Sequence, residues 1–350
     1  MQKPEPKLAH MPKLVKQKIT DLAPDIGTKL ALYQVSKEFQ SIARNSPITY
    51  NHIRIQLQVE KVRMSMEAGF QTGNGQYDVK KTLVMEFFAH EKGALQKNPT
   101  SNWEKSFQQM DYRKAAIQYL LEYMGPKTKV EKITLCGDES LLAYKWGFDP
   151  EDDEFPAVYP KRKFDEDRKM IMGEIERALQ AKRRQLLVGK ISFKFRMTSA
   201  HILQILQCLE AGTLTDIELS LGFPRIGRQP ELASLEHIFE TSQWRQAKCV
   251  DFEQYISNIP VEQFTHFTKL RICQRRPSIS VKTIVETFMN STNLIDLRVN
   301  CIEAFNETHD ASYYLEQLNL PVNIRGIFQL PDHTRIRVHN PPNRVSLQRF

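Results

Sequence analysis

The spacing of apolar positions changes along the chain and divides it into regions. After Met11-Pro12, apolar residues Val15, Ile19 and Leu22 recur at helical spacing, with Lys13, Lys16, Gln17 and Lys18 mostly between them. Pro12 suits the first position of that helix, where a missing N–H costs nothing. Ala23-Pro24-Asp25 breaks it, and Asp25 can cap a second helix. Leu32, Val35, Phe39 and Ile42 draw one apolar stripe down that second helix, which Asn45-Ser46-Pro47 stops. Short helices in a segment of about 35 residues cannot bury such a stripe against one another. They pack either on the rest of the chain or on another polypeptide.

Beyond this module the period shortens to two. His52 to Val59 alternates as a half-buried strand, and Val62 to Met66 continues as its partner. Gly73-Asn74-Gly75 predicts a hairpin turn before a strand over Thr82 to Phe87. A phosphate loop is excluded there, because no further glycine at the needed spacing and no Gly-Lys-Ser/Thr is present. Ala115, Ala116, Ile117, Tyr119, Leu120 and Tyr123 predict a helix from Asp111, closed by Gly125-Pro126, with a strand after it over Lys132 to Cys136. The acidic run Glu151 to Glu154 and the basic run Pro160 to Lys163 resist burial, so 149–166 reads as an exposed charged loop. The basic run resembles a nuclear import signal, but short basic runs are usually solvated surface.

From there strand and helix alternate. Strands are expected at Ile191–Phe195, Ile217–Leu221, Val250–Phe252, Lys269–Cys273 and Leu297–Cys301. Helices between them carry Ile202, Ile205, Leu206 and Leu209 (capped at Thr198 or Ser199, ended at Gly212); Leu235, Ile238 and Phe239; a short helix after Pro260; and Val281, Ile284, Val285 and Phe288 after Ser280. A last helix is expected near Tyr313 to Leu318. The strands start roughly 20 to 30 residues apart, the mark of units that bury their apolar faces only by stacking. The expected class is therefore α/β: a small helical module, a strand-rich connector, and an irregular leucine-rich-repeat-like strand–helix array. A doubly wound domain is the competitor, disfavoured because no glycine-rich strand-to-helix turn is present.

Composition narrows the function. Hydrophobic residues make up 41% and charged residues 26% of 350, enough for a substantial core. No run approaches the roughly 18 apolar residues of a membrane span, and Met1 to Lys7 lacks the apolar core of a secretory signal. Five cysteines (Cys136, Cys208, Cys249, Cys273, Cys301) without paired short spacing point to reduced thiols and a cytoplasmic or nuclear setting. The sequons at Asn290 and Asn306 would then go unused. The formal charge of +8 is spread among 41 acids, and no finger, homeodomain or RNA-recognition signature accompanies it. Arg335, Arg337, Arg344 and Arg349 keep an RNA reading open. No Gly-x-Ser-x-Gly, His-Glu-x-x-His or Cys-x-x-Cys is present, so no catalytic, cofactor or metal site is assigned and an enzyme is not expected. Cys249, Cys273 and Cys301 fall on different expected strands and could approach one another; buried small hydrophobes are their default role. Gln243-Trp244, Phe264, Phe267 and Leu270 read as core.

Met11-Pro12, the isoleucine after them, the turn, and Leu32-Tyr33-Gln34-Val35-Ser36-Lys37-Glu38-Phe39 together resemble an F-box. That family docks the Skp-family linker of cullin–RING ubiquitin ligases. Glu240 to Lys248, Phe264 to Ile272 and the Ser278 to Ser291 segment resemble the FTH domain of nematode F-box proteins. The order of the two halves matches that architecture: tail 1–10, F-box-like module 11–47, connector 48–148, charged loop 149–166 and FTH-like domain 167–350. The resemblance implies a substrate adaptor. Met11, Pro12, Val15, Ile19, Leu30, Val35 and Phe39 would face the linker, and through it a cullin, while the C-terminal array holds an unidentified target. An interaction scaffold without ligase association is the alternative, suggested by the lysine-rich first helix.

Overall fold

A computed structural model describes residues 11–22, 49–58, 60–71, 77–100, 103–124, 128–137, 161–180, 185–194, 199–219, 235–252, 261–274, 288, 291–301, 325–329, 335–339 and 344–349. It is mixed α/β and divides into two units, Met1–Val188 and Gly189–Phe350.

In the first unit, helix α1 (Lys13–Leu22) precedes β1 (Thr49–Gln58), β2 (Lys61–Gln71), β3 (Tyr77–His90), β4 (Gly93–Lys97), β5 (Glu104–Gln108), α2 (Tyr112–Tyr123), β6 (Lys129–Cys136) and α3 (Lys161–Gln180). The strands lie in the order β6-β1-β2-β3-β4-β5. β1 runs parallel to β6, and the rest form an antiparallel meander. The alternation in β1 has the expected consequence: Ile53, Ile55 and Leu57 are buried while His52, Arg54 and Gln56 are half-buried. Register carries the apolar set across the sheet, with Ile55 opposite Met64, Met64 opposite Met85, and Ile55 opposite Leu135. Helix α2 packs onto β2, β3 and β4, setting the Tyr119 ring 5.5 Å from Phe87.

Asp111 caps α2 as the sequence suggests. Its carboxylate accepts from the Arg113 backbone N–H at 2.9 Å and from the Arg113 guanidinium at 2.6 Å. Burial works to raise the Asp111 pKa, but these bonds and the guanidinium charge prevail and leave it lowered. The turn expected at Gly73 to Gly75 lies outside the described residues, although Gln71 and Tyr77 pair on either side of it.

Three elements of this unit depart from the expectation. β4 and β5 carry no signal in the sequence, because β4 buries only Ala94 and Gln96 and β5 is almost wholly exposed, so no apolar alternation marks them. Gly93 closes the β3–β4 turn and lets β5 approach: its φ is 142°, and a Cβ there would collide with the Phe107 carbonyl oxygen. The third departure is α3, which starts at Lys161 inside the stretch expected to be a charged loop. Its charges prevent burial of most of the surface, but Ile171, Met172 and Ile175 are buried, and packing of that stripe against α2 decides the local structure.

The second unit contains β7 (Leu187–Lys194), α4 (Ser199–Gln207), β8 (Asp216–Leu219), α5 (Glu236–Phe239), α6 (Ser242–Gln246), β9 (Cys249–Phe252), a 3-10 turn (Val261–Phe264), β10 (Lys269–Gln274), β11 (Asp296–Cys301), and β12 (Arg325–Gln329), β13 (Arg335–His339) and β14 (Arg344–Arg349). β7 to β11 are neighbours in chain order and all parallel. β14 then pairs antiparallel with β11, and β13 and β12 continue outward.

One pattern underlies the parallel part. An apolar residue is followed three and five positions later by two more: Val188, Ile191, Phe193; Leu214, Ile217, Leu219; Ala247, Val250, Phe252; Phe267, Leu270, Ile272; and Leu294, Leu297, Val299. All those whose side chains are described are buried. Register stacks them, so Ile191, Ile217, Val250, Leu270 and Leu297 form one cross-strand row. The backbone repeats as well. The Thr215 carbonyl accepts the Lys248 and Cys249 amides, the Lys248 carbonyl those of Thr268 and Lys269, and the Thr268 carbonyl those of Ile295 and Asp296.

Side chains link successive units in the same direction. Gln243 donates to the Leu209 carbonyl at 2.7 Å, His266 Nε2 to the Trp244 carbonyl at 2.9 Å, and Ser291 to the Thr265 carbonyl at 3.1 Å. A carbonyl only accepts, so Nε2 of His266 carries the proton. Burial holds this imidazole below its ordinary pKa, despite the opposing effect of that bond. Trp244 is the hub, wholly buried, with the rings of Phe239, Phe252, Phe264 and Phe267 between 4.9 and 6.2 Å away. Its indole N–H donates to the Gln263 carbonyl at 3.2 Å.

The helix expected after Ser280 lies outside the described residues, apart from Phe288, which is helical and buried. The helix near Tyr313 lies wholly outside them. Trp244→Ala would empty the centre of the aromatic cluster. It is expected to lower the stability of the second unit by about 3–5 kcal/mol in urea denaturation; a loss below about 1 kcal/mol would contradict a central role for the indole.

Candidate partner-binding surfaces

Helix α1 begins one residue after Pro12, whose carbonyl accepts the Val15 and Lys16 amides at 3.0 Å. Leu14 is 83% exposed and Val15 44% exposed, Ile19 is half-buried, and Pro12 is exposed beside a half-buried Met11. Lys16, a position expected to be polar surface, is buried instead. Periodicity alone therefore misjudges which face of this helix turns inward. Of the residues expected to face a linker, the structure places Met11, Pro12, Val15 and Ile19 on α1 or at its start. Leu30, Val35 and Phe39 lie outside the described residues.

A second surface emerges from the array. Residues that alternate with the buried rows of β7 to β11 share the other face of the sheet: Lys190, Ser192 and Lys194; Asp216 and Glu218; Cys249 and Asp251; Lys269 and Arg271; Asp296 and Arg298. Ion pairs run across them. Lys190 and Lys194 clasp Glu218 at 3.2 and 2.9 Å, Arg271 meets Asp251 at 2.9 Å, and Arg298 meets Asp296 at 3.0 Å. Sequence reasoning missed this surface. The signal that finds it is the three-then-two spacing of the apolar rows, which fixes the intervening positions as the opposite face.

Glu218 is the most buried acid of this face. Burial pushes its pKa up, but the hydrogen bond from Lys194 and the charges of Lys190 and Lys194 outweigh it, so the net shift is downward. At Cys249, burial and then the neighbouring Asp216 charge push the thiol up, which disfavours thiolate chemistry. In register no two of the three array cysteines stand directly opposite: Cys249 aligns with Lys269, Cys273 with Asn300, and Cys301 with Gln274. Among the described residues no cluster of three or more metal-ligating groups exists. No helix among them is long and apolar enough to cross a membrane.

Because the folded-state pKa of Glu218 lies below its unfolded value, the carboxyl group binds fewer protons in the folded chain than in the unfolded one as pH falls. Its contribution to stability is complete above the unfolded carboxylate pKa and is lost as pH falls through the folded one. Glu218→Gln is expected to be less stable than the parent at neutral pH, with the difference closing in acid. Chemical denaturation at a series of pH values checks this, and a difference independent of pH refutes it.

No curated protein matches the chain. Residues 169–313 do match the family model of the FTH domain, from α3 through β11 and the segment after it, and the C-terminal part of this chain carries that domain.

Proposed function

We propose that the chain is a substrate-recognition adaptor of a Skp–cullin–F-box ubiquitin ligase. In this reading the helices of 11–47 hold the Skp-family linker, and the irregular leucine-rich-repeat-like array of the C-terminal domain holds a target protein. The carrying observation is the order of parts: an FTH match at 169–313 preceded by Met11-Pro12 and the Leu32 to Phe39 segment. The exposure of Leu14 and Val15 on α1 supports it, since apolar side chains presented to solvent are available to a partner. The chain itself performs no chemistry in this scheme. It tethers the target near a ubiquitin-charged enzyme, which makes the transfer step effectively intramolecular.

The lysines at 13, 16 and 18 motivate a second reading, an interaction protein that does not engage the linker. Pull-down of the full chain with purified linker distinguishes the two. Binding at micromolar or tighter affinity is expected, and its loss in Val35→Asp, which would put an unpaired charge into an apolar contact at a cost of several kcal/mol. Retention of the linker by that variant, or no binding by the parent, refutes the adaptor reading.

A further inference from the structure

The charge of the second sheet is distributed unevenly. β7, β8 and β9 carry two lysines against three acids. The five strands from β10 outward carry eight Lys or Arg residues against a single acid, Asp296. Strand register assigns these cations to faces. Arg271 aligns with Arg298, Arg298 with Ser346, Ser346 with His339, and His339 with Arg325. The adjacent row runs Lys269, Asp296, Gln348, Arg337. Arg344 aligns with Asn300, and Arg335 stands two residues from Arg337, so both keep the same parity.

By register, seven of the eight cations therefore fall at positions of one face. The opposite face is apolar where its side chains are described, through Leu270, Ile272, Leu297 and Leu347, all buried. Arg349 is the exception. It turns to that side, where its guanidinium donates to the Ser291 and Phe288 carbonyls and lies 4.9 Å from the Phe288 ring. Where its side chains are described this face meets solvent: Lys269 and Gln348 are exposed, and Arg271 keeps 47% of its side chain exposed while paired with Asp251.

We propose that this face, over β10, β11 and the β14-β13-β12 extension, receives an acidic segment of a target protein. Charge complementarity is the first argument: with Asp251 and Asp296 set against Arg271 and Arg298, the five other cations leave a net positive field that attracts an anion. Arginine dominance is the second. Six of the seven are Arg, whose planar fork takes a carboxylate through two parallel hydrogen bonds, where lysine offers a point charge. The third is spacing. Cations two residues apart on one strand stand about 6.6 Å apart, the repeat at which an extended peptide presents side chains to one side. A single-stranded nucleic acid is disfavoured because no Phe, Tyr or Trp stands at these register positions to stack a base.

The inference deepens the adaptor reading and rests on it for the word target, but peptide and linker are measured separately. Fluorescence anisotropy of the full chain would use three probes: a labelled peptide of alternating Glu and Ser, oligouridylate, and phosphatidylserine vesicles. The acidic peptide is expected to bind in a salt-sensitive way. Arg271→Gln with Arg298→Gln should weaken it by about tenfold, and Lys190→Gln with Lys194→Gln should leave it within about twofold. Arg337→Gln, two strands out from the Arg298–Asp296 pair, supplies the same test should the double variant melt early. Absence of peptide binding, equal loss in both lysine and arginine variants, or tighter binding of oligouridylate or vesicles overturns the proposal. Loss of the peptide with linker binding intact would leave the adaptor reading standing.

Discussion

A strand of the C-terminal array cannot hold its shape alone, and the rest of that unit is built around how this is solved. A parallel strand of four to six residues presents one apolar face and two edges of unpaired amides and carbonyls. Each unit here lends its preceding carbonyl to two amides of the next, at Thr215, Lys248 and Thr268 in turn. That repeated contact fixes the register, and the register aligns the apolar rows beneath the sheet. Stability of such an array is a sum of units and the interfaces between them, so polar side chains that bridge neighbours count for more than their number suggests. Gln243, His266 and Ser291 are those bridges, each satisfying a carbonyl of the preceding unit.

The same repetition fixes what the array can offer to a partner. When every second residue is committed to the core, its neighbours are delivered in rows to the other face, whatever they are. Their chemistry can vary without moving the core rows, although a buried member such as Glu218 still contributes to stability. Near β8 the rows hold a carboxylate clasped by two lysines; from β10 outward they become strongly cationic. One scaffold thus carries two different electrostatic surfaces on one side of one sheet, set by residues that contribute little to its core.

Much of this architecture is legible from periodicity, and the failures share a cause. Strands β1 and β7 to β11 and helices α2 and α4 stand close to where the spacing of Ile, Leu, Val and Phe puts them. β4 and β5 escape that reading because backbone pairing and the Gly93 turn, rather than apolar side chains, create them. α3 escapes it because its charged first turns mask the stripe of Ile171, Met172 and Ile175. β12 to β14 alternate cleanly, as in Arg335-Ile336-Arg337-Val338-His339, yet in the bare sequence their arginines suggest an RNA-binding tail rather than one face of a sheet. On α1, Lys16 is buried where the spacing of Val15, Ile19 and Leu22 makes it polar surface.

The β14-β13-β12 extension is the part that repetition does not explain. A parallel stack ends in a strand whose outer edge is unsatisfied, and an exposed edge invites further pairing. β14 closes that edge by running antiparallel to β11, with Leu347 opposite Leu297 in the core row. Arg349 adds a second closure, since the carbonyls of Phe288 and Ser291 take their hydrogen bonds from its guanidinium. Both contacts come from residues beyond the FTH match, which ends at 313. The physical domain therefore extends past the sequence signature, because the last unit has no successor to satisfy it and these strands take the successor's place.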